Sequence, residues 1–271
     1  MAYINCDGAK APHQTVGVRM FIWKKPKKVV LQCFTTRPGL PEMFAPTRMA
    51  RATPDWWKKT TSLVDPEKSG GGAKKFGGPT KLQKTVKHCY ALQKLFENGI
   101  AYPLWSDAFV AINASGDPMG TVPGGEAPGE HHPAQQYPGM VNSNWVNYKF
   151  KSPWLFYTDK PVHFYMANPF YHIHDHNWQT MPGVLEFYYQ HHTNVNMVFR
   201  RPIGSAAYEY EFRAGDIMGY FMPMFEEDIE IRAETIGQKD WDRLEFGGKI
   251  WFSAATGHRK NDIGGCPLHR S

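Results

Sequence analysis

The residues best suited to chemistry lie close together in the chain: His172, His174 and His176 within Tyr171-His172-Ile173-His174-Asp175-His176-Asn177-Trp178, then His191 and His192. Imidazoles bind divalent ions or carry protons near neutral pH. Alternate residues of an extended strand project from one face. If such a strand faces the one bearing His191 or His192, the rings converge on an ion. Glu186 lies between the two groups and is the candidate catalytic acid or third ligand. Two histidines and a carboxylate with open positions suit non-haem iron, and manganese or zinc would be accommodated equally. Pro169 and Pro182 interrupt the alternation. The same residues therefore also read as an aromatic-rich loop whose histidines are hydrogen-bonded to neighbours.

Other chemistries find less support. There is no Gly-x-Ser-x-Gly elbow, no P-loop and no Gly-x-Gly-x-x-Gly. Cys89 adjoins His88, which points their side chains apart on a helix or a strand and argues against a dyad. The pair His131-His132, beside Glu130, reads as an exposed polar loop. Trp56-Trp57 beside Lys58-Lys59 could stack bases on a basic surface, but adjacent tryptophans more commonly anchor a helix against a sheet.

The elements that must position these residues are short. Among 271 residues, 25 Gly and 21 Pro favour turns and strands over long helices, and 14% aromatic residues suit a packed core. Val29 to Phe34 reads as a buried strand. A Pro-rich passage from Pro38 to Pro54 leads to a short helix at Asp55, and Thr85 to Phe96 has helical spacing with Asn98-Gly99 as its stop. Ala108 to Ile112 is a strand, and a Gly/Pro-rich loop spans Asn113 to Gly139. After Val141, strands are expected at Trp145–Phe150, Trp154–Thr158, Val162–Met166, Gly183–Tyr189, Asn194–Phe199, Tyr208–Phe212 and Ile217–Met222. A short helix is expected near Arg232 to Leu244.

This density predicts a mainly β (α+β) protein: a jelly-roll or β-clip-like sandwich core with a few short helices and long Pro/Gly-rich arms. Residues 141–271 would form the core and residues 1–140 would wrap it, as one integrated domain. The net charge of +6 is thinly spread, with one cluster at Lys24, Lys25, Lys27 and Lys28, so nucleic acid is not an expected partner. Cys6, Cys33, Cys89 and Cys266 are far apart, which suits free thiols in a reducing compartment. With no leader and no membrane-spanning apolar run, a cytoplasmic protein is expected, including one built into a virion inside a host cytoplasm.

Two resemblances follow from particular motifs. Pro54 to Lys59 (PDWWKK), Thr85 to Asp107, Lys151-Ser152-Pro153-Trp154 and Asn168 to Pro223 resemble an uncharacterised family of tailed phages, notably cyanophages, and some bacteria. That implies a virion-associated or assembly component that binds itself or other phage proteins. Gly183-Val184-Leu185-Glu186, a strand with Asn194 or Asn196, and Phe212 to Met218 are similar to the end of a dUTP pyrophosphatase. The likeness implies the β-clip fold, with Gly183 and Gly215 in tight turns of positive φ. Asn168-Pro169-Phe170-Tyr171 stands where those enzymes carry Arg-Ser-Gly, and Tyr188 where they carry a second acid. A degenerate nucleotide-binding relative is the implied alternative, alongside a cupin-like metal-dependent enzyme.

Overall fold

The computed structural model describes residues 28–65, 82–113, 115–123, 127–132, 144–173, 177–201 and 207–254, with side chains of the last helix to residue 246. The fold is mainly β and sandwich-like, with several sheets closing on one core. A three-stranded sheet runs in the order β10 (Leu155–Thr158), β1 (Val29–Thr35), β17 (Ile229–Thr235). A five-stranded sheet runs β13 (Gly183–Glu186), β11 (His163–Ala167), β16 (Ile217–Pro223), β5 (Ile100–Pro103), β2 (Thr47–Arg48). A third has the order β12 (Trp178–Thr180), β14 (Val195–Arg200), β9 (Trp145–Phe150), β8 (Gly129–His132). A fourth joins β15 (Tyr208–Phe212), β6 (Ala108–Ile112) and β7 (Pro118–Thr121), and β3 (Leu63–Val64) pairs with β4 (Gln83–Lys84).

The pairings are antiparallel except for β1 with β17, which run parallel in the register Val29↔Ile229 to Thr35↔Thr235. Strands from the first half of the chain sit inside these sheets: β1 lies between β10 and β17, and β5 between β16 and β2. Leu31, Tyr102, Phe150, Phe156, Phe199 and Phe221, drawn from three sheets, meet in the main core. Tyr102 enters it with its hydroxyl 2.5 Å from Ser152 Oγ, so the buried oxygen is satisfied.

The structure departs from the sequence reading in several places. Ile229 to Thr235 is a strand, and the helix α4 (Gln238–Ala254) begins only after it and takes in Lys249 to Phe252. The reason is a period of two: Ile229, Ile231 and Ala233 face the core while Glu230, Arg232 and Glu234 face away. The stretch 113–139 contains β7 and β8 and is not one loop; His131 and His132 belong to β8, paired with Tyr148 and Asn147. The Pro-rich passage holds a further short helix, α1 (Leu40–Phe44). The helix α2 spans Asp55–Lys59, with Asp55 at its positive end and Lys58 and Lys59 at its negative end.

The expected helix from Thr85 divides into a 3₁₀ turn (Val86–His88) and α3 (Tyr90–Asn98). Gly99 ends α3 with φ −67, so no left-handed cap is involved. A Cβ there would lie 2.5 Å from Met49 Sδ and 2.7 Å from the Leu95 carbonyl, so close approach requires the glycine. Gly215 does take a positive φ of 93, whereas Gly183 does not and simply opens β13. Cys33 is a buried free thiol and Cys89 an exposed one; Cys6 and Cys266 lie outside the described residues.

Candidate functional site

The described histidines go to separate places. His172 lies in the turn after β11, with its backbone N–H on the Pro169 carbonyl at 2.8 Å. Its Nε2 is 2.5 Å from the Ala52 carbonyl and its Nδ1 2.5 Å from Tyr220 Oη. A carbonyl only accepts, so Nε2 carries the proton, and Nδ1 of the neutral ring accepts a hydrogen bond from the Tyr220 hydroxyl. Both nitrogens are engaged within the protein. Burial holds this imidazole below its ordinary value, opposed by the Ala52 carbonyl and assisted by the positive charge of Lys58. Burial likewise pushes the Tyr220 phenol up, so it stays a donor.

His191 sits beside β10. Its Nδ1 is 3.0 Å from the Phe156 carbonyl, and its own carbonyl accepts the Phe156 N–H at 2.7 Å. Burial pulls its titration down, against the pull of the Phe156 and Phe187 carbonyls. His192, the next residue, bridges Leu155 and places Nδ1 3.8 Å from Glu245 Oε1 on α4. The His191 ring is buried 5.7 Å from that of Tyr157, while His192 is partly exposed. Glu186 ends β13 directly across from His163, with Oε2 3.7 Å from its Nε2. His174, Asp175 and His176 lie outside the described residues. Among the described residues no three His, Cys, Asp or Glu side chains come together to hold an ion.

What His172 does instead is join two layers. The five-stranded sheet is apolar on both faces. Phe164, Met166, Met218 and Phe221 point into the main core, and Ala101, Ala167, Tyr220 and Met222 point the other way. A bulge between Ile217 and Gly219 lets Met218 and Tyr220 face opposite sides. On the outer side α2 and α3 cover one end of the sheet with Trp57, Leu92 and Phe96, and Trp56 and Tyr171 pack against them. The Trp57 and Phe96 rings are 4.6 Å apart, and Lys87 Nζ is 4.4 Å from the centre of the Trp57 ring. Trp56 Nε1 donates to the Tyr171 carbonyl at 2.9 Å. The two tryptophans therefore anchor this cover. His172, bonded to Ala52 before α2 and to Tyr220 on β16, pins it to the sheet.

The cover ends partway along. Beyond it, Tyr165 on β11 stands between Val184 on β13 and Met222 on β16. The ladder continues through the Met224 N–H to the His163 carbonyl at 3.0 Å, which puts Met224 beside His163 on the same face. Tyr165 is 41% exposed, Val184 58% and Met224 59%. An antiparallel sheet with one face in a core ordinarily presents polar residues on the other. Here the open end presents two aliphatic side chains and a tyrosine, with the His163–Glu186 pair at its margin.

The sequence pattern predicts these strands without separating their two faces. The available signal was the absence of alternation in Phe164-Tyr165-Met166-Ala167 and in Ile217-Met218-Gly219-Tyr220-Phe221-Met222. Such runs mark strands apolar on both sides. No protein-family model, curated protein or solved structure matches this chain. Among the described residues no helix is long and apolar enough to cross a membrane.

Proposed function

We propose that this chain works by association, as a structural or interaction protein whose five-stranded sheet mates with a second copy or another protein. The observation that carries the reading is the uncovered apolar row of Val184, Tyr165 and Met224, continuous with a face that the same chain covers elsewhere. Contiguous apolar surface rimmed by polar groups is how interaction sites are built. Tyrosine and methionine are favoured at the centre of such contacts. The motifs that resemble those of the tailed-phage family point to the context, a virion-associated or assembly component.

The test places charge in the row. Tyr165→Lys with Val184→Glu leaves the main core untouched, because both side chains stand on the solvent side. Sedimentation velocity of the parent chain should give a mass above 30.9 kDa. The double variant should sediment as a monomer with an unchanged unfolding midpoint. A variant that keeps the parent's assembly would refute this contact.

A further inference from the structure

The cover formed by α2 and α3 carries charge that its own packing leaves free. Pairing of β3 with β4 sets Leu63 level with Lys84, and the Thr85 N–H donates to the Ser62 carbonyl at 3.1 Å. Thr85 Oγ1 donates to the neighbouring Thr61 carbonyl. Lys84 and Lys87, on either side of Thr85, are thereby brought next to the end of α2, which carries Lys58 and Lys59. Lys87 Nζ lies over the Trp57 ring, a neutral partner that leaves its charge uncancelled. The 3₁₀ turn then leads through Cys89 into α3. The first residue of that helix, Tyr90, is 70% exposed and has Lys94 Nζ over its ring at 5.5 Å.

We propose that this surface binds single-stranded nucleic acid, with Tyr90 stacking on a base and Lys59, Lys84 and Lys87 holding phosphates. Charge is the first support. Lysines spread thinly along the chain are gathered in space by the β3–β4 ribbon and the turn that follows it. The described acids of residues 51–65 and 82–98 do not offset them. Asp55 is met by Lys58 at 3.5 Å and Glu97 by Lys94 at 2.7 Å, while Asp65 is half-buried past the end of β3. Lys59, Lys84 and Lys87 have no carboxylate within ion-pair reach among the described residues.

The aromatic ring is the second. Trp57 is buried and Trp56 half-buried, both engaged in holding the cover down, so neither offers a face to a base. Tyr90 stands clear of that packing. Stacking on a side chain needs an unpaired base, which makes a single strand the partner. Leu82 and Val86, exposed beside Lys84 and Lys87, extend apolar ground for neighbouring bases. A membrane surface would need a helix with its bulky apolar face turned outward, but α3 turns Leu92 and Phe96 inward.

Fluorescence anisotropy of a labelled oligothymidylate, titrated with the full chain at several salt concentrations, tests this. Three phosphate contacts predict a plot of log affinity against log salt with a slope of about −2. Tyr90→Ala should weaken binding by about five- to a hundredfold, the effect of losing one stacked base. Lys59→Glu with Lys84→Glu should weaken it too and make the slope shallower. All three side chains are exposed, so the variants should keep the parent's unfolding midpoint. No binding by the parent chain, or binding that ignores the lysine reversal, would overturn the proposal. So would a Tyr90→Ala variant that binds like the parent, which would leave only a general attraction for anions. Tighter binding to phosphatidylserine vesicles than to the oligonucleotide would assign the surface to a membrane and overturn it as well.

Discussion

The two ends of the five-stranded sheet's outer face share strands and an apolar character, yet differ in what lies over them. At one end Tyr220, Ala101 and Met222 are roofed by Trp57, Leu92 and Phe96, and His172 ties roof to sheet. At the other, Tyr165, Val184 and Met224 meet solvent. Apolar side chains contribute to stability only where something excludes water from them, at roughly 25 cal/mol per Å² removed. The covered end uses that energy within one chain. The open end holds it in reserve for contact with another.

The strongest way to break the comparison is to cut the same kind of residue from each end. Trp57→Ala should destabilise the fold by about 3–5 kcal/mol, because it empties the centre of the roof. Tyr165→Ala should leave the dilute protein's stability within about 0.5 kcal/mol and weaken only its association. Denaturant midpoints and sedimentation separate the two outcomes. Equal losses of stability at both ends would mean the open face is part of the fold's own packing.

A smaller effect is expected where the roof is pinned. Tyr220→Phe removes the donor to His172 Nδ1 and should cost about 1–3 kcal/mol, the range for stranding a buried polar group. Retained stability in the variant would show that the strut is not needed. Acid should act on the same strut. Burial lowers the titration of both His172 and His191, so the unfolded chain takes up their protons first as pH falls. Stability should be constant above about pH 6.5 and decline below it until the folded imidazoles titrate too. His172→Gln with His191→Gln should flatten that decline, which unfolding midpoints at several pH values would reveal.

The smallest change belongs to His192. It is partly exposed and 3.8 Å from Glu245, so His192→Ala should cost no more than about 1 kcal/mol. Its immediate neighbour His191, buried on the Phe156 carbonyl, should cost more than that on the same substitution. Identical losses would contradict the difference in burial between the two rings.

These contrasts also show what could be read from the chain alone. The strands Trp145 to Phe150, Tyr208 to Phe212 and Ile217 to Met222 were legible because each is a short β-branched or aromatic run between turn residues. The helix at Asp55 was legible from its proline and its charges. The strand β17 was not, because Arg232, Glu230 and Glu234 resemble a charged helix face until β1 supplies the parallel partner that sets their period. The histidines misled by proximity. His172 and His191 are near in sequence, but the turn after β11 carries one to the roof, and the β13–β14 connection carries the other to β10. Nothing local encodes that divergence. Nor does anything local say which apolar face the chain will cover itself.

The most direct test of the central claim is the mass of the purified chain in solution, with its metal content read on the same sample. The account predicts a multiple of 30.9 kDa that reverts to a monomer when Tyr165 and Val184 are charged. A strict monomer carrying one equivalent of iron, manganese or zinc would contradict it.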